Sequence, residues 1–127
     1  TDAKKITWIS AWAIISAAIA KYGVVSLIRY VWPLERPFAQ KGIQALVDQN
    51  PLEASFPSGH ATFFMALAVY FLLAGEKKFG WFLFVSAVAI SLARVGAGIH
   101  WPSDILAGWI VGAAVSFIVF KIVRVRK

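Results

Sequence analysis

The first residues that could do chemistry form the motif Pro57-Ser58-Gly59-His60, which directly precedes an apolar stretch. As an ordinary helix start, this motif has Ser58 as the N-cap and Gly59 as a flexible entry. The motif can also bind an anion, because the free N–H groups and the positive dipole end of a helix attract negative charge. In that hypothesis Ser58 donates a hydrogen bond, Gly59 allows close approach and His60 lies beside the anion.

A second candidate group consists of Arg94, His100 and Asp104. The ordinary alternatives are a snorkelling arginine, a loop histidine and a favourable acid in the first turn of a helix. A carboxylate one helical turn after a histidine can also hold one imidazole nitrogen as N–H and leave the other as a nucleophile. We therefore hypothesise that Asp104 orients His100 for nucleophilic attack.

Four apolar stretches must position these residues, namely 6–28, 61–74, 79–93 and 105–123. With their weakly polar flanks, they are each long enough to cross ~30 Å of hydrocarbon at about 1.5 Å per residue. They lack the period-two alternation that is typical of barrel strands. The sequence predicts an all-α, polytopic transmembrane bundle of about four membrane-spanning helices.

Composition also indicates a membrane protein. The chain has 127 residues, of which 60% are hydrophobic and 15% are charged, against about 25% charged in an average soluble domain. This length predicts one domain, 1–127. The absence of cysteine excludes disulfides and thiolate metal sites. The net charge of +7 comes from residues dispersed between apolar runs, so no nucleic acid partner is expected.

Lysine and arginine positions predict the orientation of the helices, because positive residues are retained on the cytoplasmic side. Such residues precede the first helix, fill the turn between the second and third, and end the fourth: Lys4, Lys5, Lys77, Lys78, Lys121, Arg124, Arg126 and Lys127. With four spans, these three places share one side, which is then cytoplasmic. The outer side receives both motifs together with Arg29 and Arg36, and Trp32 and Trp101 fall near its boundary.

The outer side therefore gathers three arginines and both histidines. Charged groups cost ~2.5–3.5 kcal/mol each near the middle of a membrane, so several gathered at helix ends require a partner or a function. An anion would satisfy Arg29, Arg36 and Arg94. Zinc is an alternative, because two histidines and an aspartate are ordinary zinc ligands, but three arginines would repel a dication.

The first apolar segment also has an alternative interpretation as a signal peptide, because Lys4 and Lys5 precede an apolar run and the small residues at 17–20. The continued apolar sequence beyond Lys21 favours a retained helix. Lys21 itself is predicted to snorkel or to pair with an acid, and guidance of a lipid headgroup is its functional alternative. The chain begins with Thr1 rather than methionine, so further sequence could precede it.

Together the motifs resemble those of the type 2 phosphatidic acid phosphatase (PAP2) superfamily, which also includes bacterial non-specific acid phosphatases and vanadium haloperoxidases. The family patterns K-x6-R-P, P-S-G-H and S-R-x5-H-x3-D correspond to Arg29 through Arg36-Pro37, to the intact motif at 57–60, and to Ala93-Arg94 through His100 to Asp104.

Two residues depart from the family patterns. Arg29 replaces the usual lysine, which exchanges a compact ammonium for a planar fork. Ala93 replaces the usual serine, which removes one hydroxyl near the site. Membrane members of the family usually have more helices than this chain, so the resemblance implies that helices are missing at its N-terminal end.

The resemblance implies a phosphatase mechanism that these residues can support chemically. His100 attacks phosphorus while Asp104 orients its ring. His60 protonates the leaving oxygen and then activates the water that hydrolyses the phosphohistidine. The phosphate-binding groups are Arg29, Arg36, Ser58, Gly59 and Arg94. No cofactor and no metal are required.

We therefore expect an integral membrane hydrolase for phosphoric ester or diphosphate bonds of lipids. Candidate substrates are undecaprenyl diphosphate, phosphatidylglycerophosphate and phosphatidate, with a weak preference for a prenyl diphosphate because the chain is small and its site faces outwards. The expected location is the bacterial cytoplasmic membrane, with the active site facing the periplasm or exterior. The alternatives are a vanadate-dependent haloperoxidase, which the apolar spans disfavour because those relatives are soluble, and a non-catalytic phosphate-binding membrane protein. The oligomeric state is not predicted.

Other residues have mainly structural explanations. Gly108 and Gly112 form a G-x3-G pair that is predicted to permit close helix packing. The acids of the outer connector are predicted to be solvated rather than catalytic; they are Glu35, Asp48 and Glu53.

Overall fold

The computed structural model describes residues 2–40 and 42–126, and this part of the chain folds into helices and loops without strands. Four long helices form the bundle: α1 is Ala3–Val31, α2 is Gly59–Leu73, α3 is Lys77–Gly96 and α4 is Pro102–Arg126. A short 3-10 turn, Pro37–Ala39, lies in the connector between α1 and α2. The predicted all-α class is confirmed.

Three of the four predicted spans, α1, α3 and α4, are long and apolar enough to cross a membrane by themselves. The other, α2, is apolar but has only 15 residues. At 1.5 Å per residue it is about 22 Å long, against ~30 Å of hydrocarbon. α2 is also the central helix and packs against the other three. Because the other three helices pack around α2, it does not need to span the hydrocarbon by itself.

Glycines allow α2 and α4 to pack closely. A Cβ atom at Gly108 would lie 2.8 Å from the carbonyl oxygen of Ser58, and one at Gly112 would overlap the carbonyl oxygen of Thr62. Neither position can carry a side chain unless the backbone of α2 moves away. The predicted role of the G-x3-G pair in helix packing is therefore confirmed.

α1 contains an irregular turn. Ala3–Ala18 and Ser26–Val31 are α-helical, but between them Ile19–Val25 forms a π-helical segment. Turns of this kind are rare and occur mostly as single insertions in α-helices, frequently at functional sites. The segment includes Lys21, the charged residue that interrupts the first apolar stretch.

The three clusters of positive residues lie at one end of the bundle. Nζ of Lys5, near the start of α1, is 3.9 Å from Oε1 of Glu76 in the α2–α3 turn. A cavity at this end is lined by the start of α1 and the ends of α2 and α4, including Leu73 and Arg124. Lys127, which was grouped with these residues in the orientation prediction, lies outside the described residues.

At the opposite end, the connector between α1 and α2 folds over the α3–α4 loop. The backbone N–H groups of Phe38 and Leu46 donate to the carbonyls of Gly98 and Ala97, both at 3.0 Å. The indole N–H of Trp101 donates to the carbonyl of Glu35 at 2.9 Å. These bonds hold the part of the connector that carries Arg36 against the loop that carries His100.

Candidate active site

The ring of His100 lies between Asp104 and Arg36. His100 is only 2% exposed and Asp104 only 1%. Nδ1 of the ring is 3.2 Å from Oδ2 of Asp104, and Nε2 is 3.3 Å from Nη1 of Arg36. When Nδ1 carries the proton and donates to the carboxylate, Nε2 keeps its lone pair and accepts from the guanidinium. The pair forms because α4 begins at Pro102, which puts Asp104 in its first turn.

Further hydrogen bonds fix the carboxylate of Asp104. Its Oδ2 accepts from the backbone N–H of Trp101 at 2.8 Å and from the hydroxyl of Ser55. Ser55 is completely buried, and its Oγ is also 3.4 Å from Nδ1 of His100. The sequence prediction missed Ser55 because it lies in an irregular connector, where neither periodicity nor residue type distinguishes it from an ordinary loop serine.

The environment of His100 favours its neutral form. Burial lowers the pKa of His100, and the hydrogen bond with Asp104 opposes this effect only in part. A neutral imidazole with Nδ1–H bonded to a carboxylate carries its lone pair on Nε2, which here faces Arg36. This is the form that a nucleophile requires.

Arg36 is fixed beside Nε2 by the connector. It is 2% exposed, and it donates from Nη1 to the carbonyl of Ile99 at 3.3 Å and from Nε to the carbonyl of Glu53 at 3.2 Å. Its Nη2 is 3.7 Å from Oε2 of Glu53. Burial, followed by the nearby charge of Arg29, lowers the pKa of Arg36 to about 10, so the guanidinium remains charged at neutral pH. Glu53 is half-exposed, and it contacts Arg36 as well as solvent.

The motif at 57–60 forms the start of α2. The Oγ of Ser58 accepts from the backbone N–H of Ala61 at 3.2 Å, which is the N-cap that the ordinary interpretation predicted. The N–H of Ser58 donates to the carbonyl of Asp104 at 3.0 Å and so ties α2 to α4. Ser58 is completely buried, and its contact with phosphate stays a prediction.

Gly59 leaves space between two cationic side chains. A Cβ atom at this position would lie 3.4 Å from Cε of Lys21 and 3.8 Å from Nη2 of Arg29. His60 follows, and its ring stacks on Phe64 with 6.5 Å between the ring centroids. The absent side chain at position 59 therefore leaves room for an anion to approach the start of α2.

The groups described so far border one cavity of about 220 Å³. Its lining residues are Lys21, Arg29, Arg36, Gln49, Glu53, Gly59, His60, Arg94 and His100. Both histidines and all three arginines of the sequence prediction thus reach the same space, while Asp104 and Ser58 are buried behind its wall. Pockets that enclose drug-sized ligands usually measure about 300–1,000 Å³, so this cavity suits a headgroup rather than a whole lipid.

Two arginines of the cavity have buried donors that are free to bind an anion. The Nε atoms of Arg29 and Arg94 have no hydrogen-bond partner among the described residues. The other end of Arg29 is fixed, because its Nη2 donates to the carbonyl of Pro57 at 3.0 Å. A buried donor without a partner costs about 1–3 kcal/mol, and more when it is charged. A tetrahedral anion could satisfy both guanidiniums at once.

The sequence prediction did not assign three residues of this lining to the site: Lys21, Gln49 and Glu53. Gln49 and Glu53 come from the irregular part of the connector, where no pattern indicates which side chains turn inwards. Lys21 had a detectable signal, since a lysine inside an apolar span is costly and requires a partner. Within the part of the chain that the structure describes, the cavity therefore combines one oriented imidazole, a second imidazole and four cationic groups with a single carboxylate.

The chain is similar to known membrane phosphatases. The family model for the PAP2 superfamily matches residues 10–127. An undecaprenyl-diphosphatase of Sulfolobus acidocaldarius is 39% identical over 95 residues, which are 74% of this chain and 46% of the relative. The undecaprenyl-diphosphatase BcrC of Bacillus subtilis is 30% identical over 95 residues, which are 75% of this chain and 48% of the relative. The chain spans about half the length of these curated relatives.

The fold is also similar to that of a solved structure. The crystal structure of LpxE from Aquifex aeolicus superimposes with a TM-score of 0.74 at 24% sequence identity, covering 86% of this chain and 66% of that one. At this identity the likeness concerns the fold alone. The family match covers almost the whole chain and includes all three motifs that line the cavity or support it. The chain belongs to the PAP2 superfamily.

Proposed function

We propose that this chain hydrolyses a lipid phosphate or diphosphate in the membrane through a phosphohistidine formed on His100. One observation carries the proposal: Asp104 contacts Nδ1 of His100, while the cavity with its three arginines lies on the Nε2 side of the ring. An imidazole oriented in this way is a nucleophile that faces an anion site. Asp104 would also stabilise the imidazolium that forms when Nε2 bonds to phosphorus.

The reaction runs in two steps with His60 as the proton carrier. In the first step, the Nε2 lone pair of His100 forms an N–P bond while the P–O bond to the leaving group breaks, and protonated His60 gives its proton to the departing oxygen. In the second step, water gives a proton to His60 and its oxygen bonds to phosphorus. The N–P bond breaks, its electrons return to His100, and inorganic phosphate leaves.

The cationic groups lower the barrier by binding the phosphoryl oxygens as charge redistributes. Arg36 is already fixed beside Nε2, and the buried Nε donors of Arg29 and Arg94 are available for the remaining oxygens. Ser58 and the backbone N–H of Gly59 would contribute further donors at the positive end of α2. These groups hold phosphorus in line with the lone pair, so that little movement is needed during the reaction.

A prenyl diphosphate is the preferred substrate. Two relatives named undecaprenyl-diphosphatase match this chain, and the cavity admits a charged headgroup while the lipid tail remains in the membrane. The positive residues at the opposite end of the bundle favour an orientation with that end in the cytoplasm and the cavity on the periplasmic or outer face of a bacterial cytoplasmic membrane.

The experiment that tests this function is phosphate release by the purified protein from a panel of lipids. The panel contains a prenyl diphosphate, phosphatidylglycerophosphate and phosphatidate in detergent micelles, with His100→Ala as the inactive control. We expect the fastest release from the prenyl diphosphate. Absence of release from every lipid, together with retained phosphate binding, would instead support a non-catalytic binding protein.

Chelation of divalent cations should leave the activity unchanged. The three arginines already supply the charge that a metal ion would supply in other phosphatases, and they would repel a dication from the same cavity. The check is the rate of phosphate release before and after prolonged dialysis against EDTA. Loss of activity in EDTA and its recovery on addition of one divalent ion would show that the arginines do not suffice.

A further inference from the structure

Lys21 reaches the candidate active site although it belongs to none of the three motifs. It lines the cavity together with the arginines and both histidines. Its Cε would be 3.4 Å from a Cβ atom at position 59, so its side chain runs along the first turn of α2. The ammonium is therefore directed towards the cavity and does not extend into the surrounding lipid.

The contacts of Lys21 leave its hydrogen-bond donors free. Nζ lies 5.3 Å from the ring centroid of Tyr22 and 5.8 Å from that of Phe63. Both distances are within the ~6 Å range of cation–π interactions. No carboxylate forms an ion pair with Lys21 among the described residues, whereas Lys5 and Arg36 have Glu76 and Glu53. The aromatic faces hold the ammonium, and its three N–H donors remain available to an anion.

The backbone around Lys21 gives a second, independent indication of function. Lys21 lies inside the π-helical segment Ile19–Val25. A π-turn costs helix stability and changes the direction in which the following side chains leave the helix axis. The single irregular turn of α1 thus coincides with its one charged residue at this depth, and that residue borders the cavity.

The charge of the cavity exceeds what one phosphoryl group requires. Among the described residues, four cationic side chains line it, namely Lys21, Arg29, Arg36 and Arg94, and the single acid, Glu53, already contacts Arg36. The arginines can bind the oxygens of the phosphoryl group that His100 attacks. The Lys21 side chain passes Gly59, and its Nζ lies near the ring of Phe63, one turn farther into α2, so the ammonium is deeper in the bundle than the start of α2. A lipid diphosphate has a second ionised phosphate between its terminal phosphate and the lipid tail, and an ammonium deeper in the bundle than the arginines could bind it.

We propose that Lys21 binds the lipid-linked phosphate of a diphosphate substrate and makes the enzyme prefer diphosphates to monophosphates. This inference rests on the proposed function, because it names the substrate class of that same site. Lys21 is a specificity-determining residue in this role. It contacts the phosphate that stays on the lipid and takes no part in bond formation or proton transfer.

The test compares prenyl diphosphate with prenyl monophosphate of the same chain length. In Lys21→Met, which keeps the length of the side chain and removes its charge, kcat/KM for the diphosphate should fall about 10-fold to 100-fold, the range expected for a hydrogen bond to a charged group. The value for the monophosphate should change little, and Lys21→Arg should restore most of the preference. Equal losses on both substrates, or no loss on the diphosphate, would overturn the proposal.

Lys121→Met is the matched control, because Lys121 also lies over an aromatic ring, with Nζ 5.4 Å from the centroid of Phe117, but in a different part of the bundle. It should leave the ratio of the two substrates unchanged. Binding of a prenyl methylenediphosphonate and a prenyl phosphonate, measured by calorimetry, separates this inference from the proposed function. Wild-type protein that hydrolyses neither lipid would refute the enzyme proposal. The Lys21 proposal would then be decided by whether Lys21→Met selectively weakens binding of the diphosphonate.

Discussion

Replacing His100 by alanine should abolish phosphate release, with a fall of about 10⁴-fold or more in kcat, the order that is lost when a covalent nucleophile is removed. The expectation follows from the two contacts of the ring. Asp104 holds Nδ1 at 3.2 Å, so the lone pair of Nε2 has one direction only, towards Arg36 and the cavity. His60 cannot replace it, because it is on another helix and its ring is stacked on Phe64.

The sharpest measurement for His100 is direct trapping of the phosphoenzyme. Wild-type protein is mixed with substrate labelled in the terminal phosphate and quenched within milliseconds. The protein should carry a label that is lost in acid and stable in alkali, as a phosphorus–nitrogen bond requires. His100→Ala should carry none. Ser91→Ala is the control, because it removes a buried hydroxyl that accepts from Trp109 in another part of the bundle, and it should be labelled normally. A normal label on His100→Ala would place the nucleophile elsewhere.

The bundle itself could be predicted from the sequence because its signal is local. Each apolar stretch is long, and hydrocarbon imposes helices on any such stretch. The close approach of α2 and α4 was also readable, because Gly108 and Gly112 are one helical turn apart and face the same neighbour. The shortness of α2 was visible in its apolar stretch, 61–74, but the flanks that were expected to lengthen it do not extend the helix, which the other three helices bury instead.

The sequence predicts the motif residues of the candidate site, but it does not predict the connector residues that hold them in place. The spacing of His100 and Asp104 predicts their contact because His100 comes just before α4 and Asp104 lies in its first turn. Ser55 and Glu53 reach the same site through a connector whose position depends on hydrogen bonds to the distant α3–α4 loop. Hydrogen bonds between residues so far apart in the chain leave no pattern in the local sequence. From the sequence alone, Ser55 and Glu53 are therefore ordinary polar residues of a loop.

Lys21 shows a third case, in which the signal was present but ambiguous. A lysine within an apolar span predicts a partner; the sequence favours snorkelling or an ion pair with an acid and leaves a headgroup contact as the alternative. The position of α2 favours the headgroup contact, because it brings Gly59 and the cavity within reach of the lysine side chain. The apolar pattern is interrupted by Lys21 at this point, but it gives no sign of the π-turn at Ile19–Val25.

Replacing His60 by alanine should slow the reaction by about 10²-fold to 10⁴-fold, the contribution of general acid–base catalysis. His60 lies at the start of α2 and lines the same cavity as Arg36 and His100. It can therefore meet the oxygen that departs as His100 attacks. The variant keeps the nucleophile and the arginines, so it should still bind substrate and form the phosphohistidine slowly.

The chemistry of the leaving group separates proton donation by His60 from a purely structural role. A diphosphate releases a lipid phosphate, whose second pKa is about 6, whereas a monophosphate releases a lipid alcohol that must be protonated as it departs. The first-turnover rate of phosphoenzyme formation in His60→Ala should therefore fall much more with prenyl monophosphate than with prenyl diphosphate. A structural role would reduce both rates by the same factor. Since Lys21→Met should impair the diphosphate instead, the two variants are expected to shift the ratio of the substrates in opposite directions, which a general disturbance of the cavity cannot produce.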